Sequence, residues 1–178
     1  MFPPRFAGKH CAIVGATGII GVQIAKAFAR HGAVVSLLGR TALQSRSKLE
    51  RELAPFAYAP PTPPRPDTPS AHQFIRLDVA DPADIKNVFG GRGAGSDQVS
   101  MGCGDVTAES PDATAVGPLD ILINCAGISQ TTLLKRTPDP ELAGIIDTNL
   151  LATMLVCKYA KVRPNGMSPP GSQVTTNN

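Results

Sequence analysis

The sequence predicts an α/β protein built on a doubly wound parallel sheet, and three observations carry that expectation. Short apolar runs recur at 10–14 (HCAIV), 33–38 (AVVSLL), 72–79 (HQFIRLDV) and 119–128 (LDILINCAGI). Runs of this kind, without strict alternation, read as strands buried on both faces. Stretches of helical periodicity separate them, and a glycine-rich turn joins the first run to the first helix. Strand, turn, helix and strand within about 30 residues make a βαβ unit, which should be right-handed. Repetition of the unit gives strand order 3-2-1-4, with the sheet ending at four strands.

The first helix, IIGVQIAKAFARHG, places Ile20, Ile24, Ala27 and Phe28 at helical spacing, and His31-Gly32 supplies its stop. A second helix is expected over TALQSRSKLERELA, with Thr41 as its N-cap. Residues 54–70 hold seven prolines, which no helix or central strand tolerates, so a surface loop of polyproline character is expected. DPADIKNVF reads as a short helix capped by Asp81, with Pro82 at its first position. Residues 90–118 carry seven glycines and no periodicity, and are expected to be disordered. A long helix follows from about Asp139 to Lys161, with Leu142, Ile145, Ile146, Leu150, Met154 and Cys157 on one stripe. One domain is therefore expected over 1–163, with loop insertions at 54–70 and 90–118, and a disordered tail over 164–178.

Composition narrows the function. Gly and Pro together make 34 of 178 residues, but they cluster in loops, which excludes collagen and full disorder. A net charge of +3 with scattered basic residues, and no Trp, gives no nucleic-acid surface and no stacking platform. No apolar run approaches the roughly 18–20 residues of a membrane span, so none is expected. The stretch before the first strand is too short for a signal peptide. Cys11, Cys103, Cys125 and Cys157 contain no Cys-x-x-Cys pair, so a reduced, intracellular chain is expected, in the cytoplasm or mitochondrial matrix. No metal-ligand spacing stands out.

The turn Gly15-Ala16-Thr17-Gly18-Ile19-Ile20-Gly21 lies between the first strand and its helix. A dinucleotide pyrophosphate needs backbone N–H groups at a helix N-terminus, and glycines let it approach them. Gly15, Ala16, Thr17, Gly18, Ile20 and Gly21 are accordingly candidate cofactor residues. Where NAD-preferring sites carry an acidic residue for the ribose 2′-hydroxyl, this chain has Gly39-Arg40-Thr41. A guanidinium matches a 2′-phosphate, so Arg40 and Thr41 predict NADP(H).

With these residues in place, the chain resembles the short-chain dehydrogenase/reductase family, nearest its 3-oxoacyl-acyl-carrier-protein reductase and carbonyl reductase members. Three blocks carry the resemblance: Lys9 to Leu53 with GATGIIG and LLGR, His72 to Phe89 with LDV, and Leu119 to Arg163 with LDILINCAGI and TNLLATM. The resemblance implies a Rossmann-type fold and an oxidoreductase that reduces a ketone, a 3-oxoacyl thioester or another carbonyl, to a secondary alcohol. It makes Asp78 and Val79 adenine contacts, and sets Asn124, Ala126 and Gly127 along the adenosine-ribose side of the cofactor, bracing the sheet. It makes Asn149 the active-site Asn, whose side chain, with a local helix distortion, holds a water in the proton relay. A homo-oligomer through the 139–161 helix is also implied.

Two departures stand against the resemblance. Aligned on Gly15 and Gly21, the family's middle glycine falls at Ile19, with Gly18 one place earlier. The family's catalytic Ser and Tyr-x-x-x-Lys have no counterpart, since Tyr159 is followed four places on by Arg163. The expectation is a cofactor-binding portion that is inactive alone. Its alternative is a non-catalytic NADP(H)-binding or dimerising isoform.

Overall fold

Four parallel strands form the centre of the molecule: β1 (His10–Val14), β2 (Val34–Gly39), β3 (Gln73–Arg76) and β4 (Ile121–Asn124). The computed structural model describes residues 5–53, 67–90 and 115–164. The strands lie in the order β3-β2-β1-β4, as the sequence predicts. His10 stands opposite Val34, Cys11 opposite Ile121, and Leu38 opposite Ile75. Most of the expected loop at 54–70, most of that at 90–118, and the tail from 165 lie outside the described residues.

Alternate residues of each strand feed two cores. On one face Cys11, Ile13, Val35 and Leu37 meet α1 (Ile19–Arg30) and α2 (Arg46–Glu52). On the other, Ala12, Val14, Leu38 and Ile75 meet α3 (Pro82–Gly90) and α5 (Ala152–Tyr159). The result is helix–sheet–helix layering, in which β1 and β2 are wholly buried.

Three helices differ from their sequence reading. In α1 the buried positions are Gly21, Ala25 and Ala29, while Ala27 is exposed and Ile20 is 70% exposed. Small side chains let the helix axis approach the sheet, and the larger Ile24 and Phe28 pack only at its margin. Gly32, at φ +85°, ends the helix as expected. The second helix starts at Arg46 rather than near Thr41, whose hydroxyl donates to Thr17 Oγ1 at 3.1 Å and caps no helix. A Lys26–Glu52 ion pair at 2.6 Å ties α1 to α2. It holds the Glu52 carboxyl below its usual range.

The long helix is interrupted: α4 (Asp139–Ile146) and α5 are joined by a π-helical turn over Asp147–Leu151. Its buried residues are Ala152 and Val156, whereas Ile146, Leu150 and Met154 of the expected stripe are 58, 55 and 60% exposed. The π turn widens the helix by one residue and breaks the simple spacing of that stripe. Taken as a whole, Asp139–Tyr159 has 21 residues and a hydropathy of 1.2, long and apolar enough to cross a membrane by those two measures. This differs from the expectation that no apolar stretch approaches a span, although Asp147-Thr148-Asn149 sets polar residues in its middle.

Beyond α5, a parallel bridge joins Val162 to Leu119. Leu119 N–H donates to the Lys161 carbonyl at 2.9 Å, and Arg163 N–H donates to Leu119 at 2.7 Å. The chain therefore begins to pair along the outer edge of β4. Arg163 is ion-paired with Asp120 at 3.3 Å and Asp67 at 2.5 Å.

Candidate functional site

At the C-terminal ends of the strands, where β1 and β4 diverge into different connections, the chain leaves a cavity of about 330 Å³. That is the place where open α/β sheets bind ligands.

Its floor is built by glycine. Gly15 leaves β1 with φ +78°, and its N–H donates to the Leu38 carbonyl at 2.8 Å. A Cβ there would stand 2.6 Å from the Ala126 nitrogen and 2.8 Å from its Cα. Only glycine lets the turns after β1 and β4 come this close. At Gly21 a Cβ would collide with the Gly15 carbonyl oxygen and stand 2.8 Å from Ala16 Cα. So Gly21 fixes how α1 seats on the turn. Gly18 is the N-cap of α1, with no side-chain cap and no acidic residue in the first turn. The N-terminus of α1 therefore presents backbone donors and partial positive charge to an anion.

One wall comes from β2 and β3. Thr17, Gly39, Arg40 and Thr41 stand at one end, with Arg40 exposed. Among the described residues no carboxylate pairs with its guanidinium. Leu77, Asp78, Val79 and Ala80 line the adjacent side. Asp78 is fixed by its neighbours: its N–H donates to Asp84 Oδ2 at 2.7 Å, and its Oδ1 accepts from Ala80 N–H at 3.1 Å.

The opposite wall is Cys125-Ala126-Gly127-Ile128, with Thr148 behind it. A hydrogen-bonded brace holds this turn. Asn124 Oδ1 accepts from Ala126 N–H at 3.1 Å, and its Nδ2 donates to Thr153 Oγ1 at 2.7 Å. Thr153 donates to the Asn149 carbonyl at 2.8 Å. Asn149 grips Ile128 with both ends of its amide: Oδ1 accepts from the N–H and Nδ2 donates to the carbonyl, each at 2.8 Å. The π turn around Asn149 is the local distortion expected there. Burial pushes the Cys125 thiol up from its usual range.

Nine of the candidate residues meet at this cavity: Gly15, Thr17, Gly18, Arg40, Thr41, Asp78, Val79, Ala126 and Gly127. Five do not line it. Ala16 is fully buried, Gly21 lies under the turn, and Ile20 projects to solvent. Asn124 faces its own turn and Thr153. The Asn149 side chain binds the Ile128 backbone with both ends of its amide. Sequence reasoning missed Gly39, Leu77, Ala80, Cys125, Ile128 and Thr148. All are chain neighbours of residues it did select, Thr148 directly preceding Asn149.

Comparison with known proteins agrees with this architecture. The profile of the NAD dependent epimerase/dehydratase family matches residues 11–115. A 3-oxoacyl-[acyl-carrier-protein] reductase of Mus musculus is 26% identical over 152 residues, 85% of this chain and 49% of that protein. The reductase of the same name from Chlamydia muridarum is 31% identical, over 88% of this chain and 50% of that one. The chain thus spans about half the length of these curated relatives. Among solved structures, a short chain dehydrogenase/reductase family protein shares the fold with a TM-score of 0.58 at 20% identity, covering 87% of this chain and 49% of that one. An NADH-dependent reductase complexed with NAD gives 0.55 at 21%, covering 87% of this chain and 51% of that one.

Proposed function

Since this chain belongs to the NAD dependent epimerase/dehydratase family, we propose that it is the NADP(H)-binding portion of an oxidoreductase of the short-chain dehydrogenase/reductase type. The reaction is reduction of a ketone to a secondary alcohol, on a 3-oxoacyl thioester or a related carbonyl compound. The observation that carries this reading is the Gly15–Gly18 turn opening α1 into a cavity whose far end holds Arg40.

The residues present fit a dinucleotide. The N-terminal N–H groups of α1 receive the pyrophosphate. Arg40, beside the Thr17–Thr41 hydroxyl pair, receives the 2′-phosphate. Asp78 and Val79 hold the adenine, and Ala126 and Gly127 border the adenosine ribose. Asn149 is a positioning residue that fixes Ile128 at the cavity wall. When bound, the nicotinamide supplies the hydride equivalent for reduction. The 178 residues contain no Tyr-x-x-x-Lys, the motif that the resemblance makes the source of the proton delivered to the carbonyl oxygen. The chain alone binds cofactor without turnover.

A second reading, a non-catalytic module that dimerises, is favoured by the exposed Ile146, Leu150 and Met154 on the 139–159 helix. A second copy would cover this face.

Fluorescence titration of the 178-residue chain with NADPH and NADH tests the first reading. NADPH should bind more tightly, and Arg40→Ala should weaken NADPH by roughly ten- to a hundredfold, the loss of one charge-assisted phosphate contact of about 1.5–3 kcal/mol. NADH should be little affected. Equal binding of both cofactors, unchanged in the variant, removes the NADP(H) assignment. No binding of either removes the reading itself.

A further inference from the structure

At the end of the sheet away from the cavity, a chain of hydrogen bonds runs through the interior from β3 across β2 and β1 to the approach to β4. His10 and Ser36 are fully buried there. His10 Nε2 lies 2.7 Å from Ser36 Oγ, and His10 Nδ1 lies 2.8 Å from the Pro118 carbonyl oxygen. Ser36 Oγ in turn donates to Gln73 Oε1 at 2.7 Å.

Donor counting decides how protons sit on this ladder. The Pro118 carbonyl only accepts, so Nδ1 must carry a hydrogen. A neutral imidazole has one N–H, so Nε2 then accepts from the Ser36 hydroxyl, and Ser36 accepts from the amide NH₂ of Gln73. A protonated imidazole donates at both nitrogens. Ser36 must then turn its hydrogen towards Gln73, whose amide presents Oε1. The two arrangements differ by one proton and by a flip of the Gln73 amide, whose placement with Oε1 towards Ser36 is that of the protonated one. Neither leaves a buried polar group without a partner.

The surroundings bias the choice. Asp120 Oδ2 accepts the His10 backbone N–H at 2.9 Å and, with Asp67, attracts a positive imidazolium. Arg163, ion-paired with both carboxylates, repels it, and Lys9 stands 3.6 Å from Asp120 on the same side. His72 lies nearby, its Nδ1 accepting from Val35 N–H at 3.1 Å. Burial opposes the charge most strongly of all, holding His10 below the ordinary histidine value of 6.5.

We propose that the Gln73–Ser36–His10–Pro118 ladder is a proton-operated switch in the sheet, neutral when the fold is tight and reversed when acid loosens it. The sign follows from linkage. Between the folded and unfolded titrations of His10 the unfolded chain binds more protons, so the contribution is complete above 6.5 and is lost as the pH falls towards the lower folded value.

Nitrogen-15 NMR of histidine in the 178-residue chain at about pH 8 should show His10 as the Nδ1–H tautomer. Urea unfolding should give an unfolding constant that rises by up to about tenfold per unit below pH 6.5, and His10→Gln should flatten that dependence. Gln73→Glu, whose carboxylate only accepts, should fix the reversed arrangement and raise the His10 titration by about a unit. An Nε2–H tautomer at pH 8 overturns the proposal even where a variant fails to fold. So does a pH dependence that His10→Gln leaves intact.

Discussion

Strands β1 and β4 lie side by side in matched register, Cys11 to Val14 against Ile121 to Asn124, yet β1 is wholly buried and β4 only half-buried. Their sequences do not explain this, because CAIV and ILIN are comparably apolar. Their neighbours do. β1 has a strand on each side and helices on both faces. β4 has β1 on one side and, on the other, among the described residues only the Leu119–Val162 bridge at its start. The helix after β4 repeats the pattern, burying Ala152 and Val156 while showing Leu150 and Met154 to solvent. Apolar residues therefore carry very different weight in the two halves, and substitutions should measure it.

The largest effect should come where the halves touch. Gly15→Ala places a Cβ against the Ala126 backbone at a φ of +78°. The strain and the overpacking each cost about 1–3 kcal/mol, and the loss falls on a chain of ordinary marginal stability. Thermal unfolding should show a large drop or no folded population, with NADPH binding lost as well. A fully stable Gly15→Ala protein that still binds NADPH would remove the close approach between the two turns.

Within the sheet the contrast should be graded. Ile13→Ala in β1 should cost about 3–4 kcal/mol, since Ile13 is fully buried. Ile123→Ala in β4 should cost clearly less. Leu150→Ala, at 55% exposure, should stay within about 0.5 kcal/mol. Urea titrations of the three variants check the order. Equal losses at Ile13 and Ile123 would mean that the outer side of β4 is covered in solution.

The same contrast shows what the sequence made legible. Strand β1 was read to the residue, and the order 3-2-1-4 with it, because residues buried on both faces need no partner information beyond the sheet itself. Faces were read less well. In α1 periodicity picked out Ile20 and Ala27, but close packing selects the small residues Gly21, Ala25 and Ala29. Ile20 is on the first turn, beside the cavity, where the sheet no longer covers it. Thr41 looked like an N-cap by type, yet Thr17 lies close enough to take its hydroxyl. The glycine turn and Arg40 are legible because their chemistry follows the chain locally, whereas Asp78 comes only from the resemblance. Asn149 was found by resemblance, but its partner Ile128 comes from another segment, and no local pattern encodes that distance.

Cysteine chemistry sharpens the comparison with the smallest perturbation, because the described thiols fall in both environments. Cys11 is buried in β1, and its thiol is pushed up to about 12 by burial, with a smaller contribution from Cys125. At pH 8 its thiolate fraction is then about one in ten thousand, on top of the steric block. Cys125, at the end of β4, is partly accessible and lines the cavity, while Cys157 on α5 is exposed. Alkylation by iodoacetamide, followed peptide by peptide in mass spectrometry, should label Cys157 first, Cys125 more slowly and Cys11 only on unfolding. Saturating NADPH should slow Cys125 and leave Cys157 unchanged, since Cys125 and not Cys157 borders the proposed dinucleotide. Protection of both would point to a general tightening of the fold on binding. Protection of neither, with NADPH demonstrably bound, would place the dinucleotide elsewhere.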